Sequence, residues 1–310
     1  MVSKEPVAAL TRLPDDLRQA LAQQYTLLDH QPRAGVRPGV RLAVTTSMAG
    51  ADDAAMDSLP DLGFIGCQGV GLDRIDLAAA HRRGIAVAHT PDVLTEDVAD
   101  FALALMYGVA RRLVEADRFV RAGRWSRERM QPSMRLHGKT AGMVGLGRIG
   151  TAVARRAHGI GMRVIWHGPR PKLAVAWDYV PDLRTLALRS DILFLTVPGG
   201  EGTRRMVDAK VLEALGPHGI LINVARGSVV DEAALLAALE QGRIGGAGLD
   251  VFATEPDLNP RFLGLGNVVL APHYASLTRE TRAEMIGMIL DNIAAWRDGR
   301  PFPNAAAGAT

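Results

Sequence analysis

Three side chains late in this chain, Arg226, Glu255 and His273, have the types that reduction of a keto acid requires. Arginine presents a planar fork of donors that grips a carboxylate with two hydrogen bonds. Histidine can deliver a proton near neutral pH, and a carboxylate beside it fixes the ring's orientation. Each residue follows a short apolar run of strand character. Arg226 stands in Ile222-Asn-Val-Ala-Arg-Gly-Ser-Val-Val-Asp231, Glu255 in Gly246-Ala-Gly-Leu-Asp-Val-Phe-Ala-Thr-Glu-Pro256, and His273 in Ala271-Pro-His273. Pro256 and Pro272 restrict the backbone beside Glu255 and His273. Singly, each has a structural reading: a rim ion pair for Arg226 or Glu255, a hydrogen-bonded core imidazole for His273. After three successive buried strands, they are expected to meet at one rim.

Upstream, Gly145-x-Gly147-x-x-Gly150 has the spacing of a dinucleotide fingerprint. In that pattern the first glycine permits a tight turn, the second lets backbone approach a pyrophosphate, and the third lets helix pack on strand. In a chain with 33 glycines the spacing alone is a weak signal. Its context strengthens it: Thr140–Val144 suits a buried strand, and Arg148–His158 continues with helix formers. The pyrophosphate would then sit at a helix N-terminus, where unpaired N–H groups favour anions. NAD-specific sites place a carboxylate roughly 20 residues past the glycines, for the ribose hydroxyls. Here that position, after the strand Arg163–Trp166, reads His167-Gly-Pro-Arg170-Pro-Lys172. With no carboxylate and two cations, the segment suits a 2′-phosphate, so NADPH is the expected cofactor and NADH the alternative. His167 could stack on the adenosine side, and Arg170 and Lys172 could instead be solvated loop charges.

These residues need a scaffold that ends several strands on one edge. Strand-like runs at Tyr25–Leu28, Arg41–Thr45, Phe64–Cys67 and Ile85–Ala88 alternate with helical patterns such as Asp73–Arg83. A second series begins at Thr140 and adds strands near Ile192–Thr196, Ile220–Asn223, Ala247–Asp250 and Val268–Leu270. This alternation argues for an α/β fold with parallel sheets. Between the two series a single long helix is expected from Glu96 to about Arg121, with Val98, Phe101, Leu105 and Val109 along one apolar stripe. A last helix, Arg279–Arg297, is expected to pack back on the first lobe. The dinucleotide lobe, 98–283, is thus inserted in a substrate lobe made of 1–97 and 284–310. In such sheets ligands lie beyond the C-terminal strand ends, here facing the inter-lobe cleft.

Composition narrows the class. The 310 residues are 48% hydrophobic, enough for two modest cores. Lys plus Arg number 36 against 33 Asp plus Glu, a net charge of +3 with no uninterrupted basic block, so no nucleic-acid surface is expected. Cys67 is the only cysteine, which rules out an internal disulfide and suits a reducing, cytoplasmic setting. Met1–Pro6 lacks an apolar signal core, and the run Phe101–Ala110 is too short to span a bilayer, so no membrane association is expected. No metal-ligand spacing occurs.

The motifs together resemble the D-2-hydroxyacid dehydrogenase family, and within it the NADPH-preferring glyoxylate/hydroxypyruvate reductases. The likeness spans nearly the whole chain. It rests on Gly69-Val-Gly71-Leu-Asp-Arg-Ile-Asp76, Arg83–Val87, Thr90–Asp100, the glycine loop, Thr196-Val-Pro198 and the Arg226, Glu255 and His273 segments. It implies one Rossmann-like and one flavodoxin-like lobe, a homodimer with the helix after Thr95 in the contact, and reduction of small 2-oxo acids. His273 would donate the proton to the substrate carbonyl and Glu255 would bind its other ring nitrogen. Arg226, with the backbone amides of Val70 and Gly71, would hold the substrate carboxylate. Met48, in the loop after the second strand, would help select the substrate side chain. Asp250 would hold the nicotinamide carboxamide, Arg148 and Ile149 the pyrophosphate, Val197, Pro198 and Thr203 the adenosine side, and Val224 the nicotinamide half.

The chain departs from the family after its histidine, reading Tyr274-Ala275-Ser276-Leu277 where a glycine usually occupies position 275. Ala275, placed at the cofactor, would be strained if that position needs positive φ. Two other readings stay open. Bulkier 2-oxo acids such as hydroxyphenylpyruvate are substrates of related members. Some proteins of this fold are dinucleotide-sensing corepressors, though the full Arg226–Glu255–His273 set argues for turnover.

Overall fold

The computed structural model describes residues 4–30 and 35–306. Met1–Ser3, the start of the segment read for a signal core, lie outside that range. The chain forms two compact units, one of residues 1–94 and 278–310, the other of residues 95–277. The breaks coincide with the starts of two helices, so the expected cut after 97 falls in the first turn of one and the cut before 284 in the second turn of the other.

The first unit is a five-stranded parallel sheet: β1 (Pro6–Ala9), β2 (Thr26–Asp29), β3 (Leu42–Thr46), β4 (Phe64–Gln68) and β5 (Ala86–Ala88). Its order, β2-β1-β3-β4-β5, is the flavodoxin-like one. Helices α1 (Asp15–Gln24), α2 (Asp53–Asp57) and α3 (Leu77–Arg82) connect the strands. The expected helix from Asp73 starts only at Leu77, where the Asp76 carboxylate caps it by accepting from Ala79 N. β1 was not foreseen: it is short and begins on a proline, which is tolerated at a strand's first residue.

The second unit opens with α4 (Thr95–Ala110) and α5 (Leu113–Arg121), not with one continuous helix. The break falls at Arg112, whose backbone is left-handed (φ 53°). No glycine or proline marks it. The tertiary contact at the break is Met134 N, which donates to the Ala110 carbonyl at 3.0 Å, and locally Arg112 pairs with Glu115 at 2.6 Å. The unit continues with β6 (Thr140–Val144), α6 (Arg148–Gly159), β7 (Arg163–His167), β8 (Asp178–Tyr179), α7 (Leu183–Leu188), β9 (Ile192–Leu195), α8 (Ala209–Leu215), β10 (Ile220–Asn223), α9 (Glu232–Glu240), β11 (Gly246–Leu249) and β12 (Val268–Leu270). The order β12-β11-β10-β9-β6-β7-β8 is that of a Rossmann sheet with one further strand at the β12 edge. Every pairing is parallel, so the strands end on one edge.

α4 lies close against β11, because Gly246 and Gly248 carry no side chain: a Cβ at Gly248 would stand 2.9 Å from Leu105 Cβ. Val98 and Leu105 of the apolar stripe are buried there, while Phe101 and Val109 are half-buried. The final helix, α10 (Arg279–Arg297), belongs to the first unit and packs on β4, burying Ile289 and Ile293 with Phe64. No helix among the described residues is long and apolar enough to cross a membrane.

Candidate active site

β10, β11 and β12 are adjacent and parallel, so the loops that leave them emerge side by side. Arg226 follows β10, Asp250 and Glu255 follow β11, and His273 follows β12. The link between imidazole and carboxylate is direct: His273 Nδ1 lies 2.8 Å from Glu255 Oε2. Glu255 Oε1 accepts from Phe252 N at 2.8 Å, so both oxygens are held and the carboxylate cannot swing away. A carboxylate partner places a proton on Nδ1. Nε2, which has no protein partner among the described residues, is therefore the ring atom open to a ligand.

Asp250 holds the histidine loop. Three consecutive amides converge on it: His273 N donates to its backbone oxygen at 2.8 Å, Tyr274 N to Oδ1 at 2.6 Å and Ala275 N to Oδ2 at 3.0 Å. Its side chain is almost wholly buried (1%). Burial pushes the Asp250 carboxyl above the usual carboxylate range, while the Tyr274 and Ala275 amides pull the other way. The left-handed residue of this loop is His273, at φ 54°, and Ala275 is not left-handed. A non-glycine residue in that region costs on the order of 1–3 kcal/mol and persists where surrounding contacts over-determine it. The three Asp250 bonds do so here. The strain anticipated at position 275 is thus carried by the imidazole residue itself.

The Arg226 turn abuts the same cluster. A Cβ at Gly227 would collide with the Phe252–Ala253 peptide, which only a glycine after Arg226 avoids. Phe252 N in turn supports Glu255, so the arginine, glutamate and histidine loops form one contiguous set. Asn223, not among the residues expected at the site, pins the turn: Oδ1 accepts from Ala225 N at 3.0 Å and Nδ2 donates to Arg226 O at 3.2 Å. It is buried (1%), and a polar residue closing an apolar strand was the available signal. Arg226 Nη1 donates to Ala225 O at 2.8 Å, and Val224 is buried beside it.

The glycine loop has the shape a dinucleotide needs. A Cβ at Gly150 would collide with the Gly145 carbonyl oxygen, so helix α6 packs tightly on the turn. A Cβ at Gly147 would meet nothing within 4 Å, which leaves open space where a pyrophosphate approaches. Gly147 precedes α6 without a side-chain cap, and the start of a helix favours an anion. Arg148 is exposed there and Ile149 half-buried. Thr196 Oγ1 donates to Gly145 O at 2.9 Å, and Val197 packs against Gly145. Thr203 Oγ1 donates to Pro198 O at 2.7 Å and closes that loop. The residues present fit the cofactor.

At the end of β7, His167 Nδ1 lies 3.0 Å from Val180 O, and Arg170 is exposed. Lys172 Nζ donates to Leu146 O at 2.6 Å, which ties it to the glycine loop. Met48, Val70 and Gly71 belong to the first unit, where Met48 O accepts from Arg74 Nη1 at 2.6 Å. Among the described residues no group of three or more His, Cys, Asp or Glu could hold a metal.

Residues 103–275 match the family described as D-isomer specific 2-hydroxyacid dehydrogenase, NAD binding domain. The chain belongs to the D-isomer specific 2-hydroxyacid dehydrogenase family, and it is an NAD(P)-dependent oxidoreductase. A 2-ketogluconate reductase of Gluconobacter oxydans is 42% identical over 299 residues, which is 96% of each chain. A glyoxylate/hydroxypyruvate reductase of Arabidopsis thaliana is 45% identical, over 85% of this chain and 84% of its own. Among solved structures, an NADPH-dependent glyoxylate/hydroxypyruvate reductase of Sinorhizobium meliloti, in complex with NADP and malonate, superimposes with a TM-score of 0.93. That protein is 38% identical and is matched over 99% of this chain and 98% of its own.

Proposed function

We propose that the protein reduces small 2-oxo acids, glyoxylate and hydroxypyruvate foremost, to 2-hydroxy acids, with NADPH as the preferred cofactor. The observation that carries this reading is the His273 Nδ1–Glu255 Oε2 pair at 2.8 Å, backed by the Asp250 clamp. When bound, the nicotinamide supplies hydride to the carbonyl carbon. His273 delivers the proton from Nε2 to the carbonyl oxygen, and Glu255 stabilises the imidazolium and orients the ring. Arg226 grips the substrate carboxylate and holds the carbonyl in register. Val70, Gly71 and Met48 are assigned to the substrate by family likeness. Asp250 retains lone pairs for the nicotinamide carboxamide beyond the two amides it accepts.

The NADPH preference is supported by the lack of a carboxylate after β7, by Arg170, and by the Sinorhizobium relative's cofactor. The decisive experiment is a steady-state panel of glyoxylate, hydroxypyruvate, 2-ketogluconate and hydroxyphenylpyruvate, each with NADH and NADPH. Highest kcat/KM for the two small acids with NADPH supports the proposal. Equal or better values with NADH overturn the reading of 167–172. The Gluconobacter relative favours 2-ketogluconate as the second reading, and preference for it in the panel would establish that instead.

The protein is further proposed to act as a cytoplasmic homodimer. α5 and the turn after it expose Leu113 (62%), Val120 and Trp125 (64%), more apolar surface than an isolated helix face favours. Light scattering of Leu113→Glu should report a monomer where the parent chain is a dimer.

A further inference from the structure

We infer that His89 and Thr90 are positioning residues that aim the Val70 and Gly71 amides as a receptor for the substrate's carboxylate. The inference rests on the proposed assignment of those two amides, and it adds the device that makes them a receptor.

β4 and β5 are paired in parallel, Gly66 opposite Ala88, so the segments 69–71 and 89–90 leave the sheet next to each other. Thr90 binds Gly69 twice: Thr90 N donates to Gly69 O at 3.0 Å, and Gly69 N donates to Thr90 Oγ1 at 2.8 Å. His89 Nδ1 lies 3.0 Å from Val70 O. A carbonyl can only accept, so the imidazole donates and its proton is on Nδ1. The carbonyls of residues 69 and 70 are thus both turned toward the 89–90 segment.

The consequence follows from peptide geometry. The Glu255–Pro256 bond is the one cis peptide among the described residues, so the 69–70 and 70–71 peptides are trans. In a trans peptide the C=O and N–H point in opposite directions. Fixing Gly69 O therefore turns Val70 N–H away from Thr90, and fixing Val70 O turns Gly71 N–H away from His89. Neither amide donates to a protein acceptor among the described residues. Two successive N–H groups directed to one side form an anion-binding nest. A carboxylate has two oxygens to offer them.

The other flank of the loop is fixed as well. Gly69 has φ 124°, and a Cβ there would collide with Ser47 Oγ. Ser47 N donates to Gln68 O at 3.0 Å, and His89 N donates to Asn304 O at 3.1 Å. Thr90 is fully buried (0%), so its hydroxyl serves this loop and not solvent.

The test separates aim from simple stability. His89→Leu removes the donor to Val70 O, whereas His89→Asn can restore one through its Nδ2. Thr90→Val keeps the shape and removes the acceptor for Gly69 N, whereas Thr90→Ser retains it. In the NADPH-loaded enzyme, His89→Leu and Thr90→Val should each raise KM for glyoxylate about fivefold to twentyfold, with kcat and KM for NADPH within about twofold. His89→Asn and Thr90→Ser should return KM to near the parent value. Calorimetric Kd for oxalate, a carboxylate probe that needs no turnover, should weaken by the same factors. A loss of thermal stability with unchanged KM and oxalate Kd overturns the inference, as does a failure of both conservative variants to rescue. If the parent enzyme turns over no 2-oxo acid, the proposed function fails, and the oxalate series still decides whether the nest exists.

Discussion

The two parallel sheets end in loops made of different materials. Beyond β10, β11 and β12 the groups the proposal assigns to the reaction are side chains that carry or exchange charge: Arg226, Glu255 and His273, with Asp250 clamping the histidine loop. Beyond β4 and β5 the proposed groups are peptide N–H groups, those of Val70 and Gly71, next to the contacts of His89 and Thr90. A side chain can change protonation during a reaction, whereas a backbone amide can only hold an anion. Substitutions in the second unit should therefore strike the chemical step, and those around the first unit's loop should strike binding.

The largest effect is expected at His273. His273→Ala should lower kcat by roughly 10²–10⁴, the range for loss of a positioned general acid, with NADPH affinity unchanged in a fluorescence titration. Next is Arg226→Ala, which should raise KM for glyoxylate by about 10- to 150-fold, as expected for a lost charge-assisted fork. If its effect fell on kcat alone, Arg226 would belong to the chemistry and not to the grip. Glu255→Gln keeps a group of the same size but withdraws the negative charge facing the ring, and kcat should fall on the order of 10-fold or more while KM holds.

The smallest effect lies far from the chemistry. The Arg282 guanidinium holds the Asp16 carboxyl below its usual 3.8, chiefly by hydrogen bonding. A depressed carboxylate stabilises the fold above the unfolded value, and that contribution is lost as pH falls through the folded one. The pair is partly solvated, so Asp16→Asn should cost less than about 1 kcal/mol at pH 7 and still less near pH 3. Melting curves at the two pH values check the sign.

Much of the second unit was legible because its signals are local. Apolar runs gave β10 and β12 to the residue, and residue type with position singled out Arg226, Glu255 and His273, whose loops leave adjacent strands. What could not be read depends on partners distant in sequence. At the Arg112 break Met134 N donates to the Ala110 carbonyl, and no breaker residue announces it. The left-handed backbone at His273 is imposed by Asp250, 23 residues earlier, where the sequence pointed to Ala275. β8 is two residues long and β1 is short and alanine-rich, too little for a periodic pattern to show. His89 carries no signal in the sequence, because the role proposed for it acts through the direction of a neighbouring peptide.

The most direct test of the account is a stopped-flow single turnover of NADPH-loaded enzyme at saturating glyoxylate, run in parallel on His273→Ala and His89→Leu. The account predicts a rate lowered by roughly 10²–10⁴ in the first and within about twofold of the parent in the second. Equal losses in the two variants, or an unchanged rate in His273→Ala, would contradict it.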